Sequence, residues 1–203
     1  VSGPSVAVVD YRAGNLTSVL KGLAAAGASG FVTDDPDAVA RADAAIVPGV
    51  GHFAATQAIT PAMRDALQAL ARAGKPMLGI CLGLQFLFEG SEEAPELAGL
   101  GLLAGRCVRL GGGDLKVPHV GWNTLERQQR DSALLGGVGR DAYAYFTHSY
   151  AAPITGACVA STTYGSAFAA VVEAGRVCGV QFHPEKSGED GMRILRNFVT
   201  LCR

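Results

Sequence analysis

Residues 75–88 read KPMLGICLGLQFLF. Met77–Ile80 is a short apolar run suited to a buried strand, and Leu84, Phe86 and Leu87 continue the apolar pattern in a helix that follows at once. Between them stands G-x-C-x-G, with Gly79 and Gly83 on either side of Cys81. Strand, abrupt turn and helix in this order make a cysteine version of the nucleophile elbow. The two glycines let the backbone turn sharply and pack closely. Cys81 is then at a helix N-terminus, where unpaired N–H groups and the helix dipole favour the thiolate. The bland alternative is a buried cysteine in a glycine-rich turn.

The segments before the elbow fit it into an α/β domain. Val6–Asp10 is a β-branched run that reads as a buried parallel strand. Asn15 caps a helix through Val19, Leu20 and Leu23, which Gly27 ends. A second strand is expected near Phe31–Thr33. Asp35-Pro36 and Thr60-Pro61 each pair a capping residue with a proline at the first helical position. Ala44–Val47 is the third strand, and the helix through Met63, Leu67 and Leu70 is closed by Gly74.

From Leu102 to Phe182 the segments are short, strand-like and split by Gly, Pro and Asp. Ala167–Glu173 and Arg176–Phe182 flank Ala174-Gly175, a hairpin turn. A last helix is expected from about Glu189 to Leu201, with Ile194, Leu195 and Phe198 on one face. The sum is a single α/β domain over 1–203 with a central mixed, mostly parallel sheet flanked by helices. Residues 1–5 read as a flexible arm.

The 203 residues carry a net charge of −1 and are 49% hydrophobic, which excludes a disordered chain and gives no basic excess for nucleic acid or anionic membrane. The longest apolar run, Met77 to Phe88, is broken by Gln85 and falls short of the ~20 residues a spanning helix needs. No positive segment precedes Val6–Val9, so that run reads as a strand and not a signal peptide, and a cytoplasmic location is expected. The five cysteines, Cys81, Cys107, Cys158, Cys178 and Cys202, are odd in number and without metal-ligand spacing, so neither a disulfide framework nor a metal site is expected. All but Cys81 read as small buried hydrophobes.

A cysteine nucleophile needs a base, and His183-Pro184-Glu185 ends a predicted strand. Positions i and i+2 of an extended chain point to one side, so Glu185 can orient and support His183 while His183 takes the Cys81 proton. His52, His119 and His148 each read more simply as structural residues, although His119 can line a site or a partner surface; His148 ends an aromatic strand. Pro48-Gly49-Val50-Gly51 follows the third strand and can donate backbone N–H groups to an oxyanion. Asp10 to Asn15 follows the first strand at the same sheet edge, where open α/β folds bind ligands. It is not a G-x-G-x-x-G fingerprint, so a dinucleotide is disfavoured.

Taken together, VVDYRAGNLTSV (8–19), VPGVGHF (47–53), GICLGLQFLF (79–88), VPHVGWN (117–123), YFTHSY (145–150) and GVQFHPEKSG (179–188) resemble the class I (triad) glutamine amidotransferases. Within that class they are most similar to the glutaminase subunits of imidazole glycerol phosphate synthases, of histidine biosynthesis. The resemblance implies Cys81 as nucleophile, His183 as base and Glu185 as third triad member. It implies oxyanion donors from Val50 or Gly51 and from Leu82. Glutamine would be held by Gly49, Gly51, Gln85 and the backbone of His148, Ser149 and Tyr150. No metal or organic cofactor is implied. The implied partner is a (β/α)₈ cyclase subunit in a heterodimer, which takes the ammonia and converts phosphoribulosyl-formimino-AICAR-phosphate to imidazole glycerol phosphate and AICAR. Asn15, His119, Trp122, Tyr145 and Lys186 fall where that family meets its partner.

One position departs from the family: Arg12 stands where glycine is usual, and arginine is costly there if the position needs φ > 0 or close contact with the cyclase. Leu84 and Val120 replace a common methionine with other apolar residues. Two other functions are consistent with the same residues. A glutaminase for another synthase, such as that of the pyridoxal phosphate pathway, lacks support because its Gly-Gly-Glu-Ser segment is absent. A non-catalytic binding protein of this fold would not need Cys81, His183 and Glu185 intact.

Overall fold

The computed structural model describes residues 3–111, 115–128 and 131–203. The elements of the first half are β1 (Ser5–Val9), α1 (Leu16–Ala25), β2 (Ser29–Thr33), α2 (Pro36–Arg41), β3 (Ala44–Val47), α3 (Pro61–Arg72), β4 (Met77–Ile80) and α4 (Leu82–Leu87). Then come β5 (Gly90–Ser91), β6 (Arg106–Arg109), β7 (His119–Thr124), β8 (Glu126–Arg127), β9 (Tyr143–His148), β10 (Tyr150–Ala151), β11 (Cys158–Tyr164), β12 (Ser166–Ala174), β13 (Val177–Val180) and α5 (Gly188–Leu201).

The main sheet has the order β2-β1-β3-β4-β13-β12-β11-β8. From β2 to β13 the neighbours run parallel. The β13–β12, β12–β11 and β11–β8 pairs are antiparallel. The central position of β13, beside β4, is the step that matters for function. It brings a segment a hundred residues downstream of the elbow to the same sheet edge, with Gly79 opposite Gly179 and Ile80 opposite Val180.

The central strands β1, β3 and β4 are buried on both faces, and their alternation divides the core. Val6, Val8, Ile46, Leu78 and Ile80 face the helices α1 and α5, meeting Val19, Leu23, Ile194, Leu195 and Phe198. Ala7, Val9, Ala45, Val47 and Met77 face the other side, with Met63, Leu67 and Leu70 of α3 and with Phe86 and Phe88. Each β-branched side chain thus removes its apolar area from water, at about 25 cal/mol per Å². The expected caps form: Asn15, Asp35 and Thr60 accept from Ser18, Asp37 and Met63 N–H groups respectively.

A two-stranded antiparallel ribbon, β7–β9, stands apart from the main sheet, with His119 opposite His148 and Trp122 opposite Tyr145. A small sheet, β10-β6-β5, lies beside α4. The arm expected at residues 1–5 is not one as far as it is described. Ser5 opens β1, pairs with Ser29 and donates its N–H to Asp43 Oδ2 at 2.8 Å, and Gly3 lies so close to Gly27 that a Cβ would fall 2.1 Å from its carbonyl oxygen. Residues 1 and 2 lie outside the described residues. No helix among the described residues is long and apolar enough to cross a membrane.

Candidate active site

The elbow is built by close approach. A Cβ on Gly83 would fall 1.7 Å from the Val47 carbonyl oxygen, and one on Gly79 would fall 2.7 Å from Gly83 backbone. Only glycine lets α4 start this close to β3 and β4. The chain makes the turn at Cys81, whose φ of 53° is a left-handed value for a residue with a side chain. Such a conformation costs on the order of 1–3 kcal/mol and persists only where its surroundings enforce it. Here β13 does so, since the Cys81 N–H donates to the Val180 carbonyl at 2.8 Å.

The downstream segment supplies the base. His183 donates its N–H to the Tyr145 carbonyl at 3.0 Å, and Ser187 ties the same turn to β9 through its hydroxyl. His183 Nδ1 meets Glu185 Oε1 at 3.0 Å, with both side chains 3% exposed. His183 Nε2 is buried and makes no hydrogen bond among the described residues. Burial pushes the His183 pKa down, but the neighbouring Cys81 and Glu185 outweigh it and lift the value to about 9. The ring therefore has one nitrogen fixed by a carboxylate, and the other, beside Cys81, is the nitrogen that exchanges a proton with it, in a setting that favours the protonated ring.

A cavity of about 230 Å³ opens on Cys81, lined by Val50, Gly51, Leu82, Gln85, Glu93, Pro118, Thr147, His148, Ser149 and Tyr150. Gln85 Nε2 donates to the Tyr150 carbonyl at 2.7 Å. The same carbonyl is 2.9 Å from His148 Nδ1. The tautomers of this chain of groups follow from its ends. The Asn123 amide nitrogen, which donates to the Thr163 carbonyl, lies 3.4 Å from His119 Nε2, so that nitrogen accepts. His119 Nδ1 then donates to His148 Nε2 at 3.3 Å, and His148 Nδ1 donates to Tyr150. Burial keeps both rings neutral, pushing His119 down and His148 to about 4.

The oxyanion groups are adjacent but not aimed at the cavity together. The Leu82 N–H donates to the Gly49 carbonyl at 3.3 Å. The Gly49–Val50 peptide is trans, so the Val50 N–H points opposite to that carbonyl. The loop is braced from below by Tyr11, whose buried hydroxyl donates to the Pro48 carbonyl at 2.6 Å, and a Cβ on Gly14 would lie 3.2 Å from Gly49. Burial and the nearby Cys81 push the Tyr11 hydroxyl pKa up, so it stays a donor.

Most residues expected at the site converge on it: Cys81, His183 and Glu185 lie together, Val50, Gly51, Leu82, Gln85, His148, Ser149 and Tyr150 line the cavity, and Gly49 is tied to Leu82 behind it. On the outer face, Asn15 and Lys186 are exposed, Trp122 is 55% exposed, and Tyr145 is half-buried with its ring 6.1 Å from Trp122. His119, expected at the partner face, is instead interior, stacked between Phe146 and Tyr164. Strand alternation is the reason: Val120 and Trp122 point out, so His119 points in. Tyr11, Glu93 and Gln181 were not expected here. Glu93 lines the cavity and accepts the Phe53 N–H at 2.7 Å, from a loop where no spacing announces it. His52 caps the turn that follows it, accepting the Ala54 N–H. No cluster of three or more His, Cys, Asp or Glu side chains among the described residues is arranged to hold a metal.

Comparison with known proteins agrees with this geometry. Residues 7–202 match the class-I glutamine amidotransferase family. The chain is 51% identical to the imidazole glycerol phosphate synthase subunit HisH of Halobacterium salinarum, over 98% of this chain and 94% of that one. It is 46% identical to HisH of Methanothermobacter thermautotrophicus, over 98% and 99% of the two chains, and 45% identical to HisH of Deinococcus radiodurans, over 97% and 94%. Among solved structures, a glutamine amidotransferase superposes with a TM-score of 0.75 at 21% identity over 97% of this chain and 98% of that one, which is a likeness of fold. The same holds for the PurLQS structure of Thermotoga maritima, with a TM-score of 0.75 at 21% identity over 99% and 100%. The chain belongs to the class-I glutamine amidotransferase family, and the relatives it matches at 45–51% identity above are HisH subunits of imidazole glycerol phosphate synthase.

Proposed function

We propose that the chain is the glutaminase subunit of an imidazole glycerol phosphate synthase and that Cys81, His183 and Glu185 carry its chemistry. The observation that carries this reading is the buried His183–Glu185 pair beside Cys81, with Gln85 lining the cavity on which Cys81 opens. His183 takes the Cys81 proton at Nε2, and the thiolate attacks the side-chain amide carbon of glutamine. The carbonyl oxygen becomes an oxyanion. His183 hands its proton to the departing nitrogen, which leaves as ammonia, and a γ-glutamyl thioester remains. Water then attacks the thioester with His183 as base again, and glutamate leaves with the Cys81 thiol restored. Glu185 keeps the ring oriented and supports the imidazolium. Every proton and acyl transfer is carried by these side chains and water, so the reading needs no cofactor.

Glutamine is held at its amino-acid end. Gln85 and the backbone at 148–150 read the polar groups, and the Glu93 carboxylate is suited to the α-ammonium. The oxyanion is received by the Leu82 and Val50 or Gly51 N–H groups once the Gly49 carbonyl has turned away.

The partner is a (β/α)₈ cyclase subunit that receives the ammonia. Its docking face is the outer side of the β7–β9 ribbon, Trp122 and Tyr145, with Asn15 and Lys186, an aromatic surface of the type enriched at interfaces. The complex works in the cytoplasm. The test is glutamate release by the chain with and without a cyclase subunit, and co-purification of the two. Glutamine hydrolysis that persists in Cys81→Ser, or a chain that neither binds nor responds to the cyclase, overturns the reading.

A further inference from the structure

Gln181 lies between the end of β13 and His183 and is fully buried. Its backbone N–H donates to the Ala170 carbonyl at 2.9 Å, which holds it in line with β12. Its side-chain amide touches two groups of the site, Gln85 Nε2 at 3.5 Å and Cys81 Sγ at 3.8 Å. The direction of the amide follows from its neighbours. The Gln85 nitrogen is identified by its 2.7 Å bond to a carbonyl, which only accepts. A nitrogen with hydrogens to give meets the oxygen of Gln181, so the Gln181 nitrogen faces the sulfur.

A buried amide costs free energy unless it is hydrogen-bonded, and an apolar side chain of the same length would fill this space without that cost. The sulfur explains the amide. Cys81 Sγ has a second polar neighbour, the Thr147 carbonyl at 3.8 Å. A carbonyl can take the thiol hydrogen but repels a thiolate, whereas an N–H bond to sulfur strengthens as the sulfur becomes negative. Resting on the reading of Cys81 as nucleophile, we propose that Gln181 is a further catalytic residue, donating a hydrogen bond to the Cys81 thiolate and linking it to Gln85. When His183 removes the proton, Gln181 holds the charge that Thr147 cannot. When the thioester breaks down, it stabilises the sulfur as leaving group.

The titratable groups around Cys81 are Tyr11 after β1, Glu93 after β5, His148 on β9, and His183 with Glu185 after β13. Gln181 has no titration of its own. Its replacement by an apolar side chain therefore displaces the pH midpoint of Cys81 reactivity without adding a step. The test uses the full chain with its cyclase subunit. Gln181→Met keeps length and volume; Gln181→Glu keeps shape and replaces the N–H donor with an acceptor. Iodoacetamide modification of Cys81 is followed against pH by mass spectrometry, and glutaminase kcat and KM are measured beside it. In Gln181→Met the midpoint rises by about one pH unit, a tenfold loss of thiolate at a given pH, as expected for a hydrogen bond to a charged group. In Gln181→Glu the rise is larger. The kcat falls about tenfold while KM stays within about threefold, because Gln85 keeps its bond to Tyr150. An unmoved midpoint in whichever variant folds, or a raised KM with kcat intact, overturns the proposal. Wild-type chain unmodified at Cys81, or an active Cys81→Ser variant, defeats the glutaminase reading instead.

Discussion

The carbonyl of Gly49 accepts the N–H of Leu82 at 3.3 Å, so the backbone itself occupies a donor that the proposed mechanism assigns to the oxyanion. Freeing that N–H and aiming the Val50 N–H inward need one movement, rotation of the Gly49–Val50 peptide. Gly49 offers little steric resistance to it, and Val50 is 40% exposed. Tyr11 meanwhile fixes the Pro48 end of the loop. The expected outcome is a chain that is slow alone and faster when the partner favours the turned loop. A missing oxyanion donor is worth roughly 10²–10³ in rate. Glutaminase kcat should therefore differ by about that factor between the isolated chain and the complex carrying a cyclase ligand. Rates equal within about twofold for the chain, the complex and the liganded complex would show that the loop is not a switch.

Cys81 should be the cysteine that a glutamine-analogue electrophile labels. Burial pushes the Cys107 thiol well up, and pushes Cys178 and Cys202 to about 12, so these stay protonated at neutral pH. Cys158 is buried as well. Cys81→Ala and Cys81→Ser should abolish hydrolysis with the fold intact, while Ser at Cys202 should leave activity near wild type. Peptide mapping after labelling decides this, and modification spread evenly over several cysteines would contradict it.

The His183–Glu185 pair links pH to stability with a definite sign. The His183 pKa rises from its ordinary value near 6.5 to about 9 on folding. Its contribution is therefore complete below about pH 6.5 and is lost as pH rises through about 9. Cys81 supplies the larger part of this rise and Glu185 the next, so Glu185→Gln removes part of it, and the Tm difference between wild type and variant should be larger at pH 6 than at pH 10. In activity, His183→Asn should cost orders of magnitude and Glu185→Gln less, since the carboxylate only orients and supports the ring. A Tm gap that widens toward high pH, or His183→Asn as active as wild type, would remove this account.

The reach of the sequence differs among these groups for physical reasons. The elbow was legible because G-x-C-x-G, between an apolar run and a helical one, encodes a local geometry. His183 and Glu185 were legible because two residues on one side of an extended chain meet without help from elsewhere. Tyr11, Glu93 and Gln181 were not, since each acts on a group 37, 40 or 100 residues away in the chain. The Glu173 carboxylate, which gathers the N–H groups of Ala133 and Leu134, is of the same kind. His119 was misread outward because a strand's register, not its composition, decides which alternate residues face the core. The central place of β13 was equally hidden, as a parallel neighbour from the far end of the chain leaves no local mark.

Arg12 has the most direct test of a cost carried in the backbone. Its φ is 63°, and its N–H donates to Asp10 Oδ1 at 2.9 Å, so the loop holds it in the left-handed region. Its exposed side chain makes no hydrogen bond or ion pair among the described residues to offset that. Left-handed backbone costs a residue with a Cβ about 1–2 kcal/mol, and glycine returns part of this through its greater freedom when unfolded. Arg12→Gly should therefore stabilise the chain by about 1 kcal/mol, or roughly 2–4 °C in Tm for a domain of this size. Arg12→Ala removes the same side chain but keeps the Cβ, and should give no such gain. Because Tyr11 next door braces Pro48, a relaxed loop should leave that brace in place, and glutamine hydrolysis by Arg12→Gly should stay near wild type. Thermal unfolding of the two variants side by side separates backbone from side chain. If Arg12→Gly and Arg12→Ala melt together, at or below wild type, the left-handed conformation carries no cost in this loop.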